Sequence, residues 1–424
     1  MKKRLLLSGY FLLTVLTAIH AQQPQTLTPA KTPEEVGFST EKLKKLDTHF
    51  QELVDKGITP NAVMLVARKG KIVHEKAFGF SNLETKTPLK KDDIFRIASQ
   101  SKLITTIGLM MLFEEGRFFL DEPVSKYIPS FKNASVLVSY DEKDRSKYIT
   151  RPAKSAITIR HLLSHSAGIP YEHPLQELPE FKVPFFCSVD KDVLKDVVDR
   201  IAARPLLSDP GTQFTYGLNT DVVGRLIEVL SGMPFDQYLH KKVLGPLGMM
   251  DTYFYLPEEK ASRLVELYSK PDTEAKLSLH TNETYRNFAV SGQRTYFSGG
   301  AGLVSTIQDY AKICQFILNK GEFNGKRLLS RSTVELMGRN QIGESFVWDR
   351  QDKFGLGLQI ITPESHYGDN ATPGALTWGG MYCSEYTIDP KEDLILLVFT
   401  NVHPYAHYSA FVRNFRILVY QALL

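Results

Sequence analysis

Three serines in this sequence precede a lysine by three positions, a spacing that places both side chains on one side of a helical turn. The pairs are Ser39 with Lys42, Ser99 with Lys102, and Ser188 with Lys191. A serine hydroxyl is a weak nucleophile until a neighbouring base removes its proton, and a partly desolvated lysine can supply that base. About one or two such matches arise by chance in a chain of this length, so their surroundings must decide between them.

The surroundings separate Ser99 from the other two serines. Ser39 and Ser188 have acidic residues close behind them, which is typical of N-caps of surface helices. Ser99 opens an apolar stretch that predicts a helix over about 100–115, hydrophobic on nearly every side and therefore buried. A helix N-terminus also places backbone N–H groups near a developing oxyanion. The pattern favours Ser99 as the nucleophile and Lys102 as its activating partner. The alternative is that Ser99 is a further helix N-cap.

The residues around Ser99 resemble the first motif of a known enzyme superfamily. Residues 95–102 (FRIASQSK) are similar to that motif in the serine β-lactamases and penicillin-binding proteins, especially class C β-lactamases and family VIII carboxylesterases. Further similarities follow in the expected order at residues 120–124, 159–165, 246–249 and 300–306. The resemblance covers roughly residues 33–424 and implies an acyl-enzyme on Ser99.

The second motif of this superfamily is Tyr-x-Asn, which matches literally at Tyr285 and by context at Tyr216. Residues 209–216 are similar to the family's approach to its catalytic tyrosine, and an apolar helix follows them. The resemblance therefore implies that Tyr216, held partly as phenolate beside a lysine, transfers a proton between Ser99 and the leaving group. Leu218 stands where the family has Asn, so the usual partner of a substrate amide is missing. The alternative is that Tyr216 is an aromatic residue that caps the following helix.

The third motif, Lys-Thr-Gly or His-x-Gly in the superfamily, is replaced here by Trp378, Gly379 and Gly380. Glycines allow a strand backbone to approach a ligand closely. The resemblance, which extends to family VIII esterases with Trp-x-Gly at this point, implies that the N–H groups of Met381 and Ser99 form an oxyanion hole. Because Trp378 and Gly379 bring neither a cation nor a hydroxyl, esters are predicted to be better substrates than β-lactams, unless an arginine elsewhere in the chain enters the pocket.

Other patterns for catalysis or binding are weak. His161 and His165 are spaced as on one helix face, but a third metal ligand is missing, so structural histidines are favoured over zinc. The sequence contains no Gly-x-Ser-x-Gly elbow, phosphate loop or dinucleotide fingerprint, which predicts an enzyme without a cofactor. The formal net charge of +4 is spread along the chain, which disfavours nucleic acid as a partner.

The predicted elements place this chemistry on a sheet that both ends of the chain complete. Helices are predicted from residue 39 and over about 408–423, and strands at 62–66, 72–80, 354–361, 375–378, 385–388 and 394–400. Helices at 159–164, 191–203, 219–231 and 234–243 occupy a middle with few convincing strands. We therefore predict an α+β, β-lactamase/transpeptidase-like fold with an antiparallel sheet flanked by helices. Its α/β part spans about 35–119 and 285–424, and a mostly helical domain is inserted over about 120–284.

The first residues differ in character from the rest of the chain. Three basic residues at 2–4 precede an apolar run, and Ala21 stands just before a polar stretch. This order is typical of a secretory signal peptide over 1–21, followed by a flexible lead-in over 22–34. We expect an exported protein, periplasmic or secreted, with no integral membrane span after signal removal. An uncleaved membrane anchor is the alternative, because the residue three positions before the cut is not small.

These features together predict an exported serine hydrolase that acts on a small-molecule ester or amide. The leading hypothesis is a carboxylic ester hydrolase. The insert and the segment 171–186 are expected to shape the acyl pocket. Alternatives are a β-lactamase or a peptidase acting on D-amino-acid peptides, and a binding protein that kept the fold without turnover. No oligomeric state follows from the sequence. The odd number and wide spacing of Cys187, Cys314 and Cys383 predict buried free thiols.

Overall fold

The computed structural model describes residues 26–424, so the predicted signal peptide lies outside the described residues. The helices are α1 (Thr40–Asp55), α2 (Ser101–Glu114), α3 (Ile159–Leu163), α4 (Leu194–Ala203), α5 (Asn219–Ser231), α6 (Phe235–Leu239), α7 (Glu283–Asn287), α8 (Ile307–Leu318), α9 (Arg331–Met337) and α10 (Tyr408–Tyr420). The first strands are β1 (Thr28–Pro29), β2 (Asn61–Arg68), β3 (Lys71–Asn82), β4 (Thr87–Pro88), β5 (Phe95–Arg96), β6 (Ser135–Tyr140), β7 (Tyr148–Pro152), β8 (Tyr268–Lys270) and β9 (Ser278–Leu279). The later strands are β10 (Val304–Ser305), β11 (Glu322–Phe323), β12 (Lys326–Arg327), β13 (Lys353–Phe354), β14 (Gln359–Ile360), β15 (Leu376–Gly380), β16 (Ser384–Asp389), β17 (Leu394–Phe399) and β18 (Val402–Tyr405).

The main sheet of the described chain has the strand order β1-β3-β2-β17-β16-β15-β14-β13, and β4 pairs with β3 beside this path. Its strands come from residues 28–88 and 353–399, so both ends of the chain complete it. All neighbours from β3 to β13 are antiparallel, whereas the short β1 runs parallel to β3. The predicted α+β fold with an antiparallel sheet built from both chain ends is confirmed.

Helices cover both faces of this sheet, which explains why its central strands are apolar on both sides. On β2, Met64 and Val66 belong to a core shared with α1 and α10. Val63 and Leu65 point to the other face, where they share a core with α2 and α8. Because side chains alternate along a strand, one continuous apolar run serves both layers.

The helix behind Ser99 is buried, as predicted. Helix α2 begins at Ser101, directly after a short 3-10 turn over Ala98–Gln100, and packs against α5 and α6. Gly108 on α2 makes close packing with α6 possible, because a β-carbon there would lie 2.8 Å from Leu239 Cδ2. Buried over residues 101–110, α2 provides a rigid support for the residues at its first turn.

Several predicted elements differ from the structure. The predicted strand over 354–361 is two short strands, β13 and β14, joined by a tight turn in which Gly357 has a φ of +79°. The middle of the chain contains the hairpin β6–β7, which the sequence analysis missed. Its Val138 and Ile149 side chains are exposed, so the hairpin lies on the surface. Ser39 caps α1 as predicted, but Ser188 caps no helix, because α4 begins only at Leu194.

Cys187, Cys314 and Cys383 are free thiols, of which Cys314 and Cys383 are buried and Cys187 is half-buried. This agrees with the prediction except for the partial exposure of Cys187.

Within residues 26–424, no helix combines the length and apolar character needed to cross a bilayer.

Candidate active site

Ser99 lies in the 3-10 turn between β5 and α2, at the edge of two cavities. The residue before it, Ala98, has a φ of +41°, a left-handed backbone that costs energy for a non-glycine residue. The turn is held by backbone hydrogen bonds from Ile97 N–H to Leu303 O and from Gln100 N–H to Ile97 O. This strained turn fixes Ser99 at the head of α2, the position that the sequence analysis favoured for a nucleophile.

Lys102 is completely buried and lies within hydrogen-bonding distance of Ser99. Its Nζ is 3.2 Å from Ser99 Oγ, 2.8 Å from Tyr171 Oη and 2.8 Å from the Gly300 carbonyl oxygen. Burial lowers the pKa of Lys102 to about 7, although the Asp221 carboxylate acts against this shift. A neutral amine has two N–H donors and one lone pair. Donation to Tyr171 and Gly300 therefore leaves the lone pair for the proton of Ser99.

Asp221, on α5, is the acidic residue whose electrostatic effect reaches Lys102. It is fully buried, and Tyr296 donates a hydrogen bond of 3.0 Å to its Oδ1. A β-carbon at Gly300 would lie 2.7 Å from Asp221 Oδ2 and 3.6 Å from Lys102 Nζ, so only glycine lets these two groups share the space. Burial raises the pKa of Asp221, against which Ser298 and Lys102 act. The acid thus keeps part of the positive charge on Lys102 that burial alone would remove.

Tyr216 packs over Lys102 and approaches Ser99. The Nζ of Lys102 is 4.7 Å from the Tyr216 ring centroid, and the Trp378 indole N–H donates a hydrogen bond of 3.1 Å to Tyr216 Oη. Burial raises the pKa of Tyr216, while the Ser99 hydroxyl, the Trp378 indole and Arg350 act against this rise. Burial therefore favours the neutral phenol over the partial phenolate that the resemblance implies. Since the phenol oxygen already accepts from Trp378, its own hydrogen is available for donation.

His165 supports Tyr216 from behind. Its ring centroid is 4.7 Å from that of Tyr216, and Asn219 donates a 2.9 Å hydrogen bond to His165 Nδ1. Burial lowers the pKa of His165 well below its usual value, so the imidazole is neutral. Helix α3 ends before His165, whose φ is +54°, so His161 and His165 do not share a helix face. In the described residues, no group of three or more His, Cys, Asp or Glu side chains is placed to hold a metal ion.

The position of the missing family Asn lies away from the cavities. Leu218 is buried at the start of α5. The Asn219 side chain is occupied by His165 and by the Ile169 carbonyl oxygen at 3.2 Å. Neither Leu218 nor Asn219 is among the described residues that border the two cavities at Ser99. The site therefore has no amide group where the superfamily would provide one.

The predicted third motif forms the end of β15. A β-carbon on Gly380 would overlap the Ile97 carbonyl oxygen, and one on Gly379 would overlap the Tyr408 hydroxyl. The two glycines thus let the strand contact the protein's own turn and α10, whereas the sequence analysis attributed them to close approach of a ligand. Met381 follows the strand and, like Ser99, borders both cavities.

The two cavities meet at Ser99, Tyr216 and Met381 but differ in chemistry. The wide cavity, of about 590 Å³, is also lined by Tyr171, Glu172, Gln176, Phe185, Phe186, Tyr285, Ala301 and His403. The narrow cavity, of about 190 Å³, is also lined by Trp348, Arg350, Tyr367, Thr377, Trp378, Gly379, Gly380, Glu385 and Tyr408. The literal Tyr-x-Asn match, Tyr285, is thus a wall residue of the wide cavity, to which the segment 171–186 contributes as expected.

The sequence does not predict the electrostatic roles of three residues of this site, Tyr171, Asp221 and Arg350. Tyr171 follows a family-like stretch, and its position in the sequence predicts only a role in shaping the pocket. Asp221 is an acid in the first turn of α5, and it is followed directly by the apolar residues of that helix. Arg350 lies in a segment without any motif. It is an arginine of the kind that the sequence analysis left open as a cation for the pocket.

Comparison with known proteins places this geometry in a family. A family model described as beta-lactamase matches residues 46–420. The chain belongs to the beta-lactamase family. A monacolin J acid methylbutanoyltransferase from Aspergillus terreus is 29% identical over 85% of this chain and 91% of its own length. A lovastatin esterase from Penicillium rubens is 28% identical over 82% of this chain and 90% of its own length.

One solved structure is similar to this chain over most of the length of both proteins. It is described as EstCE1, a hydrolase with promiscuous acyltransferase activity, and covers 88% of this chain and 98% of its own. The TM-score is 0.71 and the sequence identity is 26%. With such relatives, this chain is an enzyme of the serine hydrolase and acyl-transfer class.

Proposed function

We propose that this beta-lactamase family member hydrolyses carboxylic esters through an acyl-enzyme on Ser99. The observation that carries the proposal is the 3.2 Å contact between Ser99 Oγ and the buried Lys102 Nζ. Because burial lowers the pKa of Lys102, this amine gives up its proton more readily than an exposed lysine and can act as a base. A serine beside such a base is an activated nucleophile.

The residues take complementary roles in this proposal. Ser99 Oγ attacks the ester carbonyl carbon while its proton passes to Lys102. The N–H groups of Ser99 and Met381 stabilise the oxyanion, as backbone donors at a helix start and a strand end do in acyl transfer. As the carbon–oxygen bond breaks, Tyr216 donates its phenolic proton to the leaving alcohol and regains one from Lys102. Water then attacks the acyl-enzyme in the same way, which restores Ser99 and releases the acid.

Acyl transfer to a second alcohol is the other candidate reaction. Two cavities meet at Ser99, so an acceptor other than water has space beside an acyl group in the second cavity. The methylbutanoyltransferase relative and the hydrolase described as having promiscuous acyltransferase activity support this candidate. Both reactions share the acyl-enzyme and differ only in its acceptor.

Esters are favoured over β-lactams because the site offers no amide partner at Leu218 or Asn219. A cephalosporin carries a side-chain amide, and burying it without a hydrogen bond costs about 1–3 kcal/mol. We expect kcat/KM for p-nitrophenyl butyrate to exceed that for a chromogenic cephalosporin by about tenfold or more. Both reactions are followed by absorbance on one preparation, with Ser99→Ala protein as the blank. An equal or higher efficiency on the cephalosporin would overturn the ester preference and leave the Ser99 chemistry standing.

We also propose that the protein is exported, on the basis of its basic start, apolar run and Ala21. N-terminal sequencing of the protein from the periplasm or medium should begin near Gln22. Mature protein that keeps Met1 and stays in the cytosol would contradict the proposal.

A further inference from the structure

Asp221 is fully buried in the first turn of α5, but its carboxylate interacts with another segment of the chain. An acid in a first turn usually interacts with the free N–H groups at the start of its own helix. Asp221 instead faces the segment 296–300, from which Tyr296 donates a hydrogen bond of 3.0 Å to its Oδ1. The Ser298 hydroxyl and the Gly300 N–H act against the rise in its pKa that burial causes. Asp221 therefore holds the segment 296–300 beside α5.

The same segment holds the amine of Lys102. The Gly300 carbonyl oxygen accepts a hydrogen bond of 2.8 Å from Lys102 Nζ. The segment is also fixed to α2, because Thr105 Oγ1 donates a 2.8 Å hydrogen bond to the Gly299 carbonyl oxygen. Gly300 thus faces Asp221 with its N–H and Lys102 with its carbonyl oxygen, so the position of the carboxylate influences the direction of the amine.

Asp221 and Lys102 are also close enough for their charges to interact. A β-carbon on Gly300 would lie 2.7 Å from Asp221 Oδ2 and 3.6 Å from Lys102 Nζ, so these two atoms are at most about 6 Å apart. Both side chains are fully buried, and salt screens buried charges only weakly. An ammonium that forms on Lys102 is therefore stabilised by the carboxylate of Asp221.

The other titratable side chains around this pair favour their neutral forms. Burial raises the pKa of three tyrosines and lowers the pKa of one histidine. These side chains are Tyr171, Tyr216, Tyr296 and His165. Among the described residues, Asp221 is the group whose negative charge acts on Lys102.

We propose that Asp221 is a positioning residue for Lys102: through Gly300 it directs the amine towards Ser99, and its carboxylate stabilises the ammonium that forms there. The inference rests on the proposed ester hydrolysis. In that reaction the Ser99 O–H bond breaks, its proton joins the lone pair of Lys102, and the oxygen bonds to the ester carbonyl carbon. Asp221 takes no proton in this step. It acts as the third group that orients a base and stabilises its protonated form.

Asp221→Asn tests this role, because it keeps the size of the side chain and removes its charge. With p-nitrophenyl butyrate, kcat on the plateau of the pH profile should fall about tenfold or more, with KM nearly unchanged. The acidic limb of kcat/KM should move to lower pH by about one unit or more, because an ammonium without its carboxylate loses its proton more readily. The rate difference between the two proteins should therefore shrink as the pH falls. A loss by the same factor at every pH would indicate a merely structural role and overturn the inference.

Two further variants complete this test. Asp309→Asn is the matched control, because Asp309 is a buried aspartate beside Lys312 and is not among the residues that border the two cavities. Its pH profile should coincide with that of the wild type. Tyr296→Phe keeps the carboxylate of Asp221 but removes a donor to it, which makes this acid harder to ionise. Its acidic limb should move in the same direction by a smaller amount, so an unshifted limb contradicts the proposal even where Asp221→Asn does not fold.

The rate of fluorophosphonate labelling separates this inference from ester hydrolysis. Labelling needs an activated Ser99 but no ester, so its acidic limb should also move to lower pH in Asp221→Asn. A shifted labelling profile without ester turnover would support the role of Asp221 and count against the proposed hydrolysis. Ester turnover with the same acidic limb in the wild type and Asp221→Asn would overturn the inference and leave hydrolysis standing.

Discussion

Ser99→Ala should lower ester turnover by about a thousandfold or more, because the attacking oxygen is removed and no other group replaces it. The change deletes one hydroxyl from a turn held by backbone hydrogen bonds, so the fold should persist. The measurement is kcat/KM for p-nitrophenyl butyrate together with the Tm of each protein. An unchanged Tm with lost turnover would assign the loss to chemistry rather than to unfolding.

The other two Ser-x-x-Lys serines provide controls for this substitution. Ser39 accepts a hydrogen bond from Lys42 N–H as the cap of α1, so Ser39→Ala should cost about 1 kcal/mol of stability and leave kcat intact. Ser188 hydrogen bonds with Asp192 and with the Asp190 N–H, and it should likewise be dispensable. A fluorophosphonate probe should label the wild type and both control variants but not Ser99→Ala. Labelling of Ser99→Ala, or lost activity in a control, would place the nucleophile elsewhere.

The nucleophile was accessible to sequence analysis because its evidence is local. The apolar pattern of residues 101–114 indicates a buried helix, and the Ser-x-x-Lys spacing places Ser99 and Lys102 about one turn apart at its start. The residues around Tyr216 favour it over Tyr285, although Tyr285 matches the motif literally. In the structure Tyr216 packs over Lys102, while Tyr285 lines the wide cavity.

Protonation states were not predictable in the same way, because they depend on burial and on neighbours from distant segments. The neutral form of Tyr216 follows from its burial, and the opposing effects come from Ser99, Trp378 and Arg350. The charge of Lys102 depends on Asp221, more than a hundred residues away in sequence. Only the assembled fold brings these groups together.

Arg350 shows how a pocket can gain a property that its motif lacks. The sequence around Trp378 and Gly379 indicates a site without a cation. The turn between β13 and β14, made possible by Gly357, returns the chain so that Gln359 meets Arg350. Such a contact depends on strand pairing and turn geometry, which no local pattern around residue 350 reveals.

Tyr216→Phe should lower kcat for ester hydrolysis by about a hundredfold or more while changing KM little, because the phenol acts on the leaving oxygen during bond breaking. The ring stays and continues to pack over Lys102 and against His165. The Trp378 indole N–H loses its acceptor, which costs about 1 kcal/mol of stability but places no charge in the site. Tyr285→Phe is the matched control. It removes the hydroxyl of the literal Tyr-x-Asn match in a wall of the wide cavity and should leave kcat within a few-fold of wild type.

The leaving group provides a sharper measurement of the same role. An alkyl ester releases a strongly basic alkoxide that needs a proton, whereas p-nitrophenolate leaves without one. The loss in Tyr216→Phe should therefore be larger for ethyl butyrate, followed by acid release, than for p-nitrophenyl butyrate. A merely structural tyrosine would reduce both rates by the same factor. Equal losses on the two esters, or a larger loss in Tyr285→Phe than in Tyr216→Phe, would remove Tyr216 from the proton transfer and leave Lys102 to carry the proton from Ser99 to the alcohol.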